Sequence, residues 1–443
     1  LDNASTKSET RSTPGWEDKA PIDYYFAKKL APHEGEPVLL SLAALLKAAR
    51  EGHLCVESSV ELPDYLFDEA LVEEEGRIYL RRNWECEQRF LKHYRRLKEE
   101  TPFIPIPEPH MEELEPEQEQ AIQHAAKRSL SLICGGPGTG KTFTAATLIR
   151  HFLAFLEPVV AAPTGKAAAN LRRALQGLCP VMTLHSLLKK RYLGADLVLV
   201  DEASMIDAEL MAALFSSIKS GARLVLIGDR DQLPPVETGH FFADLAKDPD
   251  IVTELGRCLR AELSEIVDMA RAVKEGKHVP TLPMPDFETI AEAVFERKAC
   301  VLTPLRHIVD SLNRKLLKQH QKLGGKRFPI MVRVNDPVLE LYNGDVGELA
   351  PDEGCAYFGE RKIPDYLLPH YEYAYVISVH KSQGSEYDEV LILLPEGSEA
   401  FGREMLYTAI TRAKKRVRIY AAEGVLSPIL SKREHRLSGL VKK

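Results

Sequence analysis

The run Gly-Gly-Pro-Gly-Thr-Gly-Lys-Thr, Gly135 to Thr142, places a lysine and a hydroxyl at the close of a glycine-rich turn. An apolar stretch (SLSLIC) leads into it and an apolar-periodic helix (TAATLIR) follows. That context suits a loop built around a polyphosphate. The backbone N–H groups of Gly135, Gly136, Pro137's neighbours, Gly138, Thr139 and Gly140 can converge on phosphate oxygens, and the helix start adds partial positive charge. In this pattern Lys141 neutralises the outer phosphates and the Thr142 hydroxyl ligates Mg²⁺.

Two further strand ends carry polar groups. LVLVDEAS ends an apolar run in Asp201 and Glu202, where the carboxyl ends of a parallel sheet face the ligand crevice. Adjacent carboxylates permit a division of labour, Asp201 in the Mg²⁺ shell and Glu202 polarising the attacking water. LIGDRDQLPPV ends the next run, and its Gln232 is the candidate sensor of the terminal phosphate.

These residues need strands to hold them. SLSLIC, PVVAAP, DLVLVD and RLVLIG, then CVLTP, YVISV, EVLILLP and VRIYAA, alternate with helical patterns. The rhythm predicts an α/β fold with parallel sheets covered by helices, and enough units for two sheets. The break between them is expected near Gly276 to Glu288, where prolines and glycine interrupt. Upstream, Ile22 to about Lys98 reads as mostly helical, and residues 1 to about 20 as a disordered or processed lead. TPFIPIPEPH, Thr101 to His110, carries four prolines and reads as a linker. The expected division is therefore 1–100, a linker at 101–110, then 111–280 and 281–443.

Bulk properties exclude some classes. The 443 residues exceed one small core, and 44% apolar with 28% charged content is ordinary for a globular chain. No apolar run approaches the ~18 residues that span a bilayer, and the polar N-terminus lacks a signal-peptide core. Seven scattered cysteines show no ligand-like spacing, which fits a reducing, cytoplasmic setting. A net charge of −7 argues mildly against nucleic acid, but the tail from Thr411 (TRAKKRVR, later SKREHR) is locally basic.

The phosphate loop, DEAS and GDRDQLPPV, in this order, resemble superfamily 1 helicases. VHKSQGSEYDEV (Val379 to Val390) and LYTAITRAKKRV (Leu406 to Val417) look like the helicase motifs of a second motor domain. The wording QLPPV, VHKSQGSE and TAITRAKKR is similar to the RecD family, the alpha subunits of bacterial exodeoxyribonuclease V. DYYFAKKL, GHLCV, IYLRRNWECEQRFL and REHRLSGL extend the likeness over nearly the whole chain.

The resemblance implies two RecA-like motor domains with ATP and Mg²⁺ between them. It further implies a small helical N-terminal domain for docking, and an SH3-like β insertion at about 343–372, entered at YNGDVGEL. In LEPEQEQAI, Gln118 takes the position that reads the adenine edge. Arg260 fits the γ-phosphate arginine better than Arg257, although Ala261 replaces the glutamine usual after it. Gly384 and Glu386 align with nucleotide-facing positions, and Arg412 with the arginine finger. Pro163 and Thr164 resemble the motif gripping the DNA backbone. His185 occupies a position used near DNA, though a packed or capping role fits equally. The family moves 5′ to 3′ on single-stranded DNA, opens duplex ends and works beside RecB- and RecC-like subunits in break repair. No carboxylate–lysine cluster for a nuclease is visible. A stand-alone superfamily 1 helicase remains an alternative, as does a nucleotide switch or assembly module that never translocates. DEAS with QLPPV does not match RNA helicases of the DEAD type.

Overall fold

A computed structural model describes residues 21–57, 62–107, 114–190, 194–258, 264–434 and 436–440. The expected lead, the end of the linker and Arg260 therefore lie outside the described residues. The chain divides into two compact units. One comprises the residues up to Arg89 with Val236–Gly239 and the stretch from Arg436. The other comprises Phe90–Pro235 and His240–His435. No described helix is long and apolar enough to cross a membrane.

In the smaller unit, helices Pro21–Leu30 and Glu36–Arg50 pack with a three-stranded antiparallel sheet, Cys55–Glu57, Arg77–Leu80 and Leu71–Glu74. Ala27, Leu39, Leu42, Leu71 and Ile78 form its core. The tail belongs here rather than with the second sheet as expected. Leu54 N donates to Leu437 O at 2.9 Å, and Gly439 N to Glu87 Oε2 at 2.9 Å. The unit's limit also falls inside helix Arg81–Glu99, ahead of the expected boundary at 100.

The larger unit holds the two expected parallel sheets. The first runs in the order Val181–Thr183, Pro158–Ala162, Leu197–Val200, Arg223–Gly228, Leu130–Gly135, Val252–Leu255, with every pairing parallel. Its inner strands are wholly buried, which explains why they read as unbroken apolar runs. The second sheet, Val376–Ser378, Cys300–Thr303, Tyr387–Leu394 and Ala413–Ala421, is also entirely parallel. Each sheet with its covering helices forms one lobe.

Helix Ser264–Lys274 lies before the expected break, yet Ile266, Ala270 and Val273 share a core with Met405, Leu406 and Ile392 of the second lobe. Apolar burial thus moves the division between lobes ahead of residue 264. A five-stranded antiparallel sheet is inserted in the second lobe, in the order Arg361–Pro364, Cys355–Phe358, Val346–Ala350, Phe328–Val332, Tyr371–Tyr373. It begins at Phe328, upstream of the expected entry at Tyr342.

The linker is not free-standing. Phe103 N donates to Gly221 O at 3.1 Å, and Ile106 packs against the first lobe's core. The guanidinium of Arg223, fully buried, bonds Ile104 O at 2.7 Å, Ala126 O at 2.8 Å and Ala125 O at 3.1 Å. Buried carbonyls need donors, and one planar fork supplies three of them.

Candidate active site

The loop after strand Leu130–Gly135 sits where that strand is flanked by Arg223–Gly228 and Val252–Leu255. Gly138 (φ 72°) and Gly140 (φ 81°) take the left-handed conformation that lets the loop curl onto the start of helix Lys141–Phe152. Lys141 Nζ folds back onto the carbonyls of Gly135 and Gly136, both at 2.8 Å. Thr139 Oγ1 donates to Gly136 O at 3.0 Å, and the Thr142 side chain is exposed to the cavity in front.

That cavity has a volume of about 730 Å³. From the first lobe, the loop residues Gly136 to Thr142, Asp201, Glu202 and Gln232 line it. From the second come Gly384, Glu386 and Arg412. Most of the expected site is thus brought together around one space. Its wall carries Lys141, Lys166, Arg173, Arg412 and Lys414 against Asp201, Glu202 and Glu386, a cationic excess suited to a polyphosphate.

Asp201 is buried, and its Oδ1 accepts from Glu202 N at 2.8 Å. Burial, then the neighbouring Glu202, pushes its pKa up to about 7. Glu202 takes a left-handed backbone (φ 53°), which is strained for a glutamate. Its Oε2 is buried with no hydrogen-bond partner, as is Oε1 of Gln232. Unpaired buried oxygens at a cavity wall await a partner from the cavity. Among the described residues no group of three or more His, Cys, Asp or Glu is placed for a metal ion. Mg²⁺ does not need one, since it binds through one or two protein oxygens plus phosphate and water. The Thr142 hydroxyl and Asp201 carboxylate fit that donor set.

Gln232 Nε2 reaches Asp229 Oδ2 at 3.4 Å, and the next residue is clamped by the second lobe. Leu233 N donates to Thr408 Oγ1 at 2.8 Å, while Leu233 O accepts from Gln383 Nε2 at 3.4 Å. Arg412, buried, donates from Nε to Thr408 O at 3.0 Å, from Nη1 to Ser385 O at 3.3 Å and from Nη2 to Thr411 Oγ1 at 3.2 Å. Gly384 (φ 69°) turns the chain towards the cavity, and Glu386 pairs with Lys414 at 3.5 Å.

Gln118 stands apart. It is buried at the third position of helix Pro116–Lys127, in a capping box with Glu115, and its Nε2 donates to Thr139 O at 3.3 Å. Its amide braces the loop from behind and does not line the cavity.

Thr164 caps helix Gly165–Leu175 by accepting from Ala167 N at 3.2 Å, which leaves its own O–H available. Pro163 precedes it, half-buried. His185 is exposed at the start of helix Leu184–Lys190, so it is not the packed histidine that its apolar setting allowed. Lys166 went unnoticed in the sequence. Its Nζ donates to Ser385 Oγ at 2.6 Å and Gly344 O at 3.1 Å, partners more than 170 residues away that no local pattern reveals. Beside it, a Cβ on Gly165 would overlap the Tyr342 ring.

Comparison with known proteins gives this geometry its relatives. Residues 113–286 match the family model described as an AAA domain, and 373–420 match a UvrD-like helicase C-terminal domain. The chain is similar to the RecBCD enzyme subunit RecD of Mycolicibacterium smegmatis, at 32% identity over 96% of this chain and 97% of that one. It is 28% identical to the same subunit of Haemophilus influenzae over 83% of this chain and 80% of that one. It is 29% identical to the ATP-dependent RecD2 DNA helicase of Deinococcus radiodurans over 83% of this chain and 59% of that one. Bacteroides Pif1 bound to single-stranded DNA shares the fold, with a TM-score of 0.50 and 18% identity over 71% of this chain and 93% of that one. Two parallel-sheet lobes around a phosphate loop, with near full-length likeness to the mycobacterial subunit, establish that the chain belongs to the RecD family of superfamily 1 DNA helicases.

Proposed function

We propose that the chain is an ATP-dependent, 5′–3′ single-stranded DNA translocase and helicase, the RecD-type motor of a helicase–nuclease complex with RecB- and RecC-like partners. The observation that carries this reading is the cavity walled by both lobes, with Lys141, Asp201 and Glu202 on one side and Arg412 on the other. In this reading ATP lies in the cavity, its outer phosphates against Lys141 and the loop N–H groups. Thr142 and Asp201 would hold Mg²⁺, which would supply charge neutralisation at the phosphate oxygens. Glu202, with its unpartnered Oε2, orients the attacking water. Gln232 reports the terminal phosphate, and Arg412 offsets the charge developing on it. Arg260 takes the neighbouring phosphate contact by family likeness. Gln118 braces the loop from behind through Thr139, and by family likeness it is the reader of the adenine edge.

Loss of the terminal phosphate removes the contacts shared by the two lobes, and the cleft opens. Alternating grip through Pro163, Thr164 and His185 in the first lobe, and through the second lobe, turns that cycle into stepping. The test is ATP hydrolysis by the purified chain with and without single-stranded DNA, beside Lys141→Ala. Stimulation that vanishes in the variant supports the motor. Hydrolysis indifferent to DNA, with or without candidate partners, points instead to a nucleotide switch. Capture of two large partner subunits separates the complex-bound motor from a stand-alone helicase.

A further inference from the structure

Lys166 lies in the cavity wall but belongs to none of the roles assigned above. Lysine heads ordinarily stay in water, and withdrawing one is unfavourable unless it is partnered. Here burial lowers its pKa below the ordinary lysine range, with Asp345 partly opposing that shift. The acceptors of its Nζ, Ser385 Oγ at 2.6 Å and Gly344 O at 3.1 Å, are both on the second lobe, whereas Lys166 is on the first.

Ser385 is itself buried, and its carbonyl is the acceptor of Arg412 Nη1 at 3.3 Å. The bonds to Thr408, Ser385 and Thr411 use three of the five guanidinium N–H groups. Two remain for an anion in the cavity. A line of contacts thus runs from the first lobe, through Lys166 and Ser385, to the arginine of the second. It is complete only while the lobes are together.

We propose that Lys166 is a positioning residue for ATP hydrolysis, which holds Arg412 at the cavity through Ser385 when the two lobes close. It rests on the reading of Arg412 given above. Lys166 does not touch the phosphates. It makes the aim of the arginine conditional on the first lobe being in place, so an open cleft loses both the reach and the alignment of the finger.

The experiment is a mutant cycle on the full chain, reading ATP turnover against ATP concentration with and without oligo-dT. Lys166→Met and Ser385→Ala each lower kcat about tenfold and change KM less than about twofold, the signature of a contact that matters in the transition state. Their combination is no worse than either alone. In an Arg412→Ala background Lys166→Met costs nothing further, because the route it acts by is gone. Lys166→Arg, which keeps a donor, recovers part of the rate. Multiplying losses with Arg412→Ala, a change confined to KM, or no change at all would overturn the proposal. Ser385→Ala removes one oxygen and carries the same test if the methionine variant does not fold. A wild-type chain that hydrolyses ATP without DNA stimulation sinks the motor reading, while the cycle is still read on basal turnover. A chain without any turnover sinks both.

Discussion

The hydroxyl of Tyr407, on helix Arg403–Ile410 of the second lobe, donates to Asp229 Oδ2 at 2.9 Å, at the end of strand Arg223–Gly228 in the first. Both residues are buried, and burial raises the pKa of each. The same carboxylate oxygen accepts from Gln232, so this bond also fixes the candidate phosphate sensor. A buried hydrogen bond to an ionisable group contributes about 1.5–3 kcal/mol. Tyr407→Phe is expected to destabilise the larger unit by roughly 2 kcal/mol in urea unfolding and to slow ATP turnover. An unchanged midpoint together with unchanged turnover would show that Gln232 is held by other means.

Removing the fork that pins the linker has a different signature. Arg223→Met leaves the carbonyls of Ile104, Ala125 and Ala126 without their donor, and the methionine cannot replace it. The expected loss is about 3 kcal/mol, with residues 102–107 becoming the first site of limited proteolysis. Burial already lowers the guanidinium pKa to about 10, a measure of how far the group is withdrawn from water. An Arg223→Met variant as resistant to protease at that stretch as the wild type would count against the pinning role.

Acid weakens both lobes through histidines that burial keeps neutral. His124 shares a 2.9 Å hydrogen bond with Thr253, and His320 shares one of 2.9 Å with the Tyr375 hydroxyl. Burial lowers both pKa values below the ordinary 6.5, helped at His124 by Arg128 and Lys127. The unfolded imidazoles take up protons near 6.5 while the folded ones resist, so stability is complete above that pH and falls below it. Denaturant midpoints are expected to hold from pH 8 to 7 and decline towards pH 5. The decline is shallower in His320→Gln. A midpoint that rises on acidification contradicts this assignment.

The strands that carry the chemistry were legible because they are buried on both faces. Leu197–Val200 and Arg223–Gly228 are continuous apolar runs ending in Asp201 and Asp229, a pattern short enough to read and long enough to trust. The edge strands Val181–Thr183 and Val252–Leu255 escaped, since three or four residues, one of the buried ones a threonine, are too short a run to set against a turn. Nothing local says which sheet the apolar face of helix Ser264–Lys274 covers. The phosphate loop followed from motif spacing, and Arg412 from the family resemblance. Lys166 did not, because its meaning lies in partners from a different lobe. Gln118 showed its helix position but not that its amide is taken up by Glu115 and Thr139.

The cavity draws its walls from distant parts of the chain. Gly136 to Thr142 leave the ribosome early among the lining residues, whereas Thr411, Arg412 and Lys414 leave last. The first sheet can assemble its phosphate loop long before the second sheet has been made, since all six of its strands precede residue 256. On the roles proposed above, a nascent or truncated chain can hold nucleotide but cannot turn it over. The order of translation thereby acts as a safety catch, keeping the engine from idling until the last strand of its second lobe is in place.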